Sequence, residues 1–332
     1  MTQWTGESVT MDEDTGCGGN TFSQASPAEM ATGYLHAAYA DSLSEFGRPR
    51  PLPKSGGWIL ERQIPRFPYV DGMGCYPLFA CRNWSQLQYD LEALRNEIVS
   101  LVLVTDPFGA YDELYLRQCF EDLVIPFKEH NLVDLTRPMN TYLSSHHRRN
   151  ARNAQKAVDV ERCRRPIELL DEWVDLYARL IERHHITGML AFSKMSFAKQ
   201  LEVPGLVAFR AVHGGKTVGM MLWYVQEGIG YYHLGAYDDV GYRLKASFAL
   251  MWYCIDYFAA NGLKWLNLGA DAGVKSDSSH GLTRFKRGWS TDSRTAYLCG
   301  RIFNHNEYGE VVRARGDPLA GYFPAYRKGE FG

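Results

Sequence analysis

Two short stretches carry side chains suited to moving a proton or holding an anion. Tyr231-Tyr232-His233-Leu234 sets an imidazole, whose ordinary pKa lies near neutrality, beside two phenols. Arg284-Phe285-Lys286-Arg287 sets a lysine between arginines. On a helix, positions 284 and 287 share a side and 286 points elsewhere, so Lys286 can face a pocket while Arg284 and Arg287 face phosphate or solvent. Phe285 and Trp289, four apart, would anchor such a turn. The stretch 238–247 links an expected strand to an expected helix and holds Gly241, Arg243, Lys245 and Ala246. Backbone amides and cations at a helix start can meet a phosphate. On this reading His233 is a general base, Tyr232 and Tyr237 donate to a leaving group, and Lys286 stabilises negative charge. Each also has a plain structural reading: a core histidine bonded to a neighbour, packed tyrosines, a solvated basic turn.

Charge patterning supports an anionic ligand of limited size. The 332 residues carry a formal net charge of −2, with 36 basic and 38 acidic side chains. That balance excludes a strongly basic binder of bulk nucleic acid. The average hides an asymmetry. Residues 1–47 hold seven acids and no Lys or Arg, so the rest of the chain is net positive. Arg148, Arg149, Arg152, Lys156, Arg162, Arg164 and Arg165 form one basic run, and Arg284, Lys286, Arg287, Arg294 and Arg301 a second. No apolar run approaches 18 residues, so no membrane-spanning helix is expected. The first 30 residues lack both Lys/Arg and an apolar core, so no secretory signal is expected and a cytoplasmic location is. The seven cysteines (17, 75, 81, 119, 163, 254 and 299) include no C-x-x-C pair and read as buried free thiols in a reducing compartment. His146-His147 and His184-His185 are adjacent pairs that point apart on a helix, and no metal site is expected.

These groups need elements to hold them. Residues 1–27, rich in Gly, Ser, Thr and Asp, read as an acidic tail. Ser26-Pro27-Ala28-Glu29 looks like a helix start, with the helix running to about 46 and ended by the Pro/Gly-rich stretch 47–57. Residues 58–64 and 98–104 have strand patterns, 84–97 a helical one, a short helix follows from 112, and 130–135 suits a strand. That makes a first α/β unit over 28–140. The second, over 141–332, reads as a basic helix (144–157), a strand (158–163), an amphipathic helix (166–184), a shorter helix (192–201), three strands (206–213, 217–225, 229–236), a long helix (244–260), a strand (265–268), a helical turn (282–289) and a last strand (295–302). Gly214-Gly215 and Glu227-Gly228 mark hairpins, and Asn261-Gly262 a helix stop. The order β-α-α-β-β-β-α-β-α-β is that of the GNAT acyltransferase fold, an α/β architecture with a mixed, largely antiparallel sheet flanked by helices.

Three stretches resemble the FemAB-like branch of the GNAT superfamily, in which two GNAT-like domains stand in tandem. Residues 145–154, Ser-His-His-Arg-Arg-Asn-Ala-Arg-Asn-Ala, resemble the basic helix that leads into the second domain. Residues 262–270, Gly-Leu-Lys-Trp-Leu-Asn-Leu-Gly-Ala, resemble the strand and turn written "G…yDfGg". Residues 281–290, Gly-Leu-Thr-Arg-Phe-Lys-Arg-Gly-Trp-Ser, resemble the "GL..FK..W" signature.

The resemblance implies an enzyme that forms an amide: an amine attacks a carbonyl activated on acyl-CoA or on aminoacyl-tRNA. It implies that Lys286 lies near substrate phosphates and the reacting centre, with Phe285 as its packed neighbour. It places His233 on a strand bordering the acyl site, and residues 238–247 where GNAT enzymes bind the CoA pyrophosphate; the full Q/R-x-x-G-x-G/A spacing is absent here. Asn267 replaces the acid of the turn. Donor contacts are expected at Gly241, Arg243, Lys245, Arg284, Arg287, Phe285, Arg148, Arg149, Asn267 and Tyr237. The expectation is an N-acyltransferase with an acyl-CoA-type donor and a small-molecule amine acceptor. Transfer from aminoacyl-tRNA to an amine of a cell-wall precursor or metabolite is the alternative, and Arg148 and Arg149 would then meet tRNA phosphate. A non-catalytic binding module on the same fold is the competing class, favoured by Asn267 in place of the acid.

Overall fold

The computed structural model describes residues 31–270, 281–315 and 322–330. The expected tail and the expected helix start at Ser26 lie outside these residues.

The chain opens with a single 3-10 turn and helix α1 (Ala37–Ser42), then strands β1 (Arg48–Leu52), β2 (Gly57–Gln63) and β3 (Val70–Gly74). Helix α2 (Leu87–Ala93) leads to β4 (Ser100–Val104), and α3 (Glu113–Cys119) to the long β5 (Leu123–Asp134). The expectation of loop over 47–57 is corrected by β1, whose sequence is Arg-Pro-Arg-Pro-Leu. Proline lacks an N–H, and β1 tolerates two because it is an edge strand. β3 was not expected either: Val-Asp-Gly-Met-Gly has little side chain to show a pattern. It forms because Gly72 and Gly74 let Leu101 and Leu103 of β4 pack against its backbone.

The second half follows its expected order closely. Helix α4 (Ser145–Ala154) and β6 (Asp159–Cys163) precede α5 (Leu170–His184) and α6 (Lys194–Gln200). The hairpin set is β7 (Leu206–His213), β8 (Lys216–Gln226) and β9 (Ile229–Tyr237). Gly214 and Gly215 both have positive φ, as do Glu227 and Gly228, which gives each two-residue turn the twist a hairpin needs. Two helices, α7 (Asp239–Leu244) and α8 (Ala246–Ala260), stand where one was expected. Lys245 separates them with a left-handed backbone, φ 57°. Strand β10 (Trp265–Asn267), helix α9 (Gly281–Arg287), strand β11 (Asp292–Ile302) and helix α10 (His305–Arg315) complete the order.

All strands join one sheet, in the order β1-β2-β3-β4-β11-β5-β10-β9-β8-β7-β6. Its two parallel pairs are β3 with β4 and β9 with β10; the rest are antiparallel. From one edge the order runs through three strands (β1–β3) and a parallel step to β4, from the other through four (β6–β9) and a parallel step to β10, and the pair β11 and β5 lies between β4 and β10. β11, late in the chain, lies between β4 and β5, while β5, from the first half, pairs with β10. Both faces of the second half are covered. Tyr39, Trp173, Tyr177 and Phe197 of α1, α5 and α6 pack on one face. Ala151, Leu250, Cys254 and Phe258 of α4 and α8 pack on the other, with Trp289. Six cysteines, all but Cys17, are free and buried.

Candidate active site at the fork of two parallel strands

Each parallel step pairs over only two or three residues, beyond which the ladder stops and a fork opens. The β3–β4 fork is filled by the protein itself: Phe79 bridges to Thr105, and Leu78, Phe79 and Cys81 are buried around it. The β9–β10 fork is lined differently. The last paired residues are Tyr231 and Asn267, after which β9 runs on to Tyr237 while the chain after β10 turns through Gly269. Around that point stand Asn267, Tyr232, His130 and Lys286.

Lys286 is the cation of the fork. It comes from α9, where Arg284 and Arg287 are exposed and Lys286 is only 6% exposed, as the 284/286/287 spacing requires. Its Nζ donates to the Ala270 carbonyl at 2.6 Å and lies 5.8 Å from the centre of the Tyr232 ring. Low local dielectric strengthens any interaction of this ammonium with developing negative charge. The Tyr232 and Tyr237 hydroxyls both lie over Gly235, where a Cβ would come within 2.0 Å of the first and 3.3 Å of the second. Burial pushes both phenols' pKa up, so both stay protonated donors. The Tyr237 hydroxyl has no hydrogen-bond partner among the described residues.

Helix α9 is fixed by α4. Ser144 caps α4, its hydroxyl accepting from the His147 N–H at 3.2 Å. The His147 Nε2 lies 3.1 Å from the Phe285 carbonyl, an acceptor, so Nε2 carries the hydrogen. Its ring packs on Phe248 and Trp289, and Phe248 meets Phe285 edge-on at 5.0 Å. Gly288 is required for this approach: a Cβ there would lie 1.9 Å from the imidazole. On the outward side of α4, Ser145, Arg148, Arg149, Arg152, Asn153 and Lys156 line a cleft of about 440 Å³. The Arg148 Nε in it is buried without a hydrogen-bond partner among the described residues.

The structure does not bring His233 to Lys286. Tyr232 and His233, successive in a strand, point to opposite faces. His233 is buried among the rings of Tyr34, Tyr39 and Tyr224, with Nδ1 3.2 Å from the Tyr34 hydroxyl and Nε2 2.9 Å from Gln200 Oε1. Burial pushes its pKa down to about 3, which removes its power to accept a proton near neutrality. The expected phosphate turn is also different in form. Asp238 caps α7, accepting from the Gly241 N–H at 2.7 Å, and Gly241 packs so closely that a Cβ would meet the Val218 carbonyl at 2.0 Å. Asp239 follows, paired with Arg183. Arg243 is exposed, and the Lys245 Nζ donates to Asn150 Oδ1 at 2.9 Å. A second cleft, about 880 Å³, shares no residue with the fork; Arg62 and Arg327 pair there with Asp71 and Glu330.

His130 is the fork residue that the sequence reading placed only on a strand. Its Nδ1 lies 3.0 Å from Asn267 Oδ1. Burial, with Lys286 nearby, drives its pKa down to about 4. The pairing spans 137 positions, which no local pattern reveals.

Residues 144–287 match the acetyltransferase (GNAT) domain family. That segment, from α4 to α9, carries the chain's likeness to the GNAT acetyltransferase domain. A search of curated proteins finds no match. The solved structure of FemX is similar at TM-score 0.62 and 13% identity, over 83% of this chain and 93% of that one. The C-terminal domain of a putative lysylphosphatidylglycerol synthetase from Agrobacterium fabrum is similar at TM-score 0.58 and 15% identity, over 84% and 91%. L-PGS from Bacillus licheniformis follows at 0.53 and 14%, over 86% and 98%. At these identities the likeness is one of fold, and it extends well beyond residues 144–287. Among the described residues no group of three or more His, Cys, Asp or Glu side chains could hold a metal ion, and no helix is long and apolar enough to cross a membrane.

Proposed function

We propose that this protein is a GNAT acyltransferase that forms an amide at the β9–β10 fork, with Lys286 as the cation that stabilises the tetrahedral oxyanion. The observation that carries the reading is a lysine 6% exposed, on a helix locked by His147 and Gly288, with its ammonium at the point where two parallel strands part. The amine nitrogen bonds to the acyl carbon, the carbonyl pair moves onto oxygen, and its return expels the carrier, which leaves with the proton that the nitrogen gives up. Tyr232 is the proposed donor of a proton to the departing group. His233 takes no part in this scheme; its place among aromatic rings supports a structural task. Two GNAT-like units, over 28–140 and 141–332, with β5 and β11 exchanged between them, and a cytoplasmic setting belong to the same proposal.

For the donor we place aminoacyl-tRNA first and an acyl-CoA second, reversing the order the sequence suggested. Two carboxylates, Asp238 and Asp239, occupy the turn that would meet a CoA pyrophosphate. The exposed cations Arg149, Arg152 and Lys156 of α4, with Arg284 and Arg287 of α9, suit a longer anion. The name of the lysylphosphatidylglycerol synthetases, two of the similar structures, also points to an aminoacyl product. One observation favours CoA: α8 has no side-chain cap at its N-cap residue, Lys245, so the positive end of its dipole is left to an anion. The acceptor on either reading is a small amine.

The test is binding and transfer with both donors. Affinity for tRNA should fall by about an order of magnitude or more between 50 and 200 mM salt, since several phosphates are neutralised. Arg149→Glu with Arg152→Glu should lower tRNA affinity about tenfold or more and flatten that salt slope. Salt-insensitive binding of acyl-CoA, with transfer from it alone, would replace the tRNA reading by the CoA one.

A further inference from the structure

The fork contains a buried donor that the fold does not use. Asn267 is 2% exposed, and its Nδ2 has no hydrogen-bond partner among the described residues. Burying an amide donor unsatisfied is costly, and native structures rarely keep one without a reason.

The orientation of that amide follows from its neighbours. The Gly269 N–H points at one terminal atom of Asn267, 2.8 Å away. A backbone N–H can only donate, so that atom is the oxygen and the other is the NH2 group. The same oxygen lies 3.0 Å from His130 Nδ1, so Nδ1 carries the imidazole hydrogen. Two donors therefore occupy Oδ1, and they leave Nδ2 with both hydrogens unspent. Burial of His130, which holds its pKa near 4, keeps the ring neutral and in this tautomer through the working pH range. Gly269 also ties the amide to the lysine: a Cβ there would stand 3.3 Å from Lys286 Nζ, and the next carbonyl, Ala270, holds that ammonium. The unsatisfied amide and the buried ammonium thus flank one short turn at the mouth of the fork.

We infer that Asn267 Nδ2 is a second donor to the acyl oxygen, and that His130 is the positioning residue that aims it. The inference rests on the acyl-transfer reading above. As the amine nitrogen bonds to the acyl carbon, the carbonyl π pair moves onto oxygen, which gains the Nδ2 hydrogen bond and the field of Lys286. When the pair returns, the bond to the carrier breaks and the carrier leaves with the proton that the amine nitrogen gives up; no proton passes to or from Asn267. A carboxylate at 267 could not donate and would repel the developing charge, so asparagine makes the turn complementary to an oxyanion.

The full chain tests this with whichever donor supports transfer. Asn267→Ala and Asn267→Asp should each lower kcat about 100-fold while KM changes less than about threefold, the split expected of an oxyanion donor. His130→Phe should lower kcat about tenfold, and His130→Gln, whose amide can still donate to Asn267, should recover most of it. In the wild type, 15N spectra should show His130 protonated on Nδ1, and adding the donor should shift the Asn267 side-chain amide; this arm stands even if a variant fails to fold. A kcat within twofold of wild type for Asn267→Ala, or His130 protonated on Nε2, overturns the inference and leaves acyl transfer intact. A wild type that transfers from neither aminoacyl-tRNA nor acyl-CoA overturns both.

Discussion

Lys286 and His233 show what one residue's surroundings do to its chemistry. Both looked reactive in the sequence. The lysine's burial was legible, because 284, 286 and 287 cannot share a helix face and arginine seldom goes inward. The histidine's fate was not, because it depends on Tyr34 and Gln200, 199 and 33 positions away. Its environment gives a pH signature instead of a catalytic role. His233 and His130 have folded pKa values of about 3 and about 4 against an ordinary 6.5, both from burial. Between those values the unfolded chain binds protons that the fold refuses, so stability is full above about pH 6.5 and is lost as pH falls. Asp106 works the other way: burial raises its pKa to about 6 from 3.8, so its penalty appears as pH rises through that window. With two groups against one, acid should still destabilise. His233→Gln should make the slope of unfolding free energy between pH 4.5 and 6.5 shallower by about 1.4 kcal/mol per pH unit, measured by urea titration. An unchanged slope would mean that His233 is protonated in the fold.

At the scale of elements, helices α4 and α9 form one unit, and its parts were readable while its joint was not. The basic helix and the Phe285-Lys286 turn were expected from spacing, but their contact through His147, Phe285 and Gly288 joins residues 138 apart. Gly288→Ala should force the imidazole away and cost about 1–3 kcal/mol, read as a lower urea midpoint with unchanged m-value. Equal stability would show that α4 and α9 can slide. The hairpins β7–β9 were legible because Gly214-Gly215 and Glu227-Gly228 dictate the turns. The break at Lys245 was not: a lysine gives no hint of a left-handed backbone, and the apolar run of α8 continues the pattern of α7. β1 and β3 escaped for the opposite reason, since proline and glycine mask strands that tertiary packing tolerates.

For the whole molecule, a net charge of −2 describes neither the arginine face nor the fork. The sheet explains why a chain with two parallel steps has its polar cluster at one of them. Phe79 and its neighbours fill the β3–β4 fork, whereas Asn267, Tyr232, His130 and Lys286 line the β9–β10 fork. The order of the second half was visible in the sequence, but the pairing of β11 with β4 and β5 was not, because nothing local says which strands meet. The claim that amide formation occurs at the polar fork is tested most directly by single-turnover transfer from aminoacyl-tRNA or acyl-CoA to an amine, comparing wild type with Lys286→Met. The account predicts a loss of about 100-fold or more in the rate of the transfer step, with donor binding within about threefold and the fold retained by circular dichroism. A Lys286→Met enzyme that transfers within twofold of wild type would contradict it.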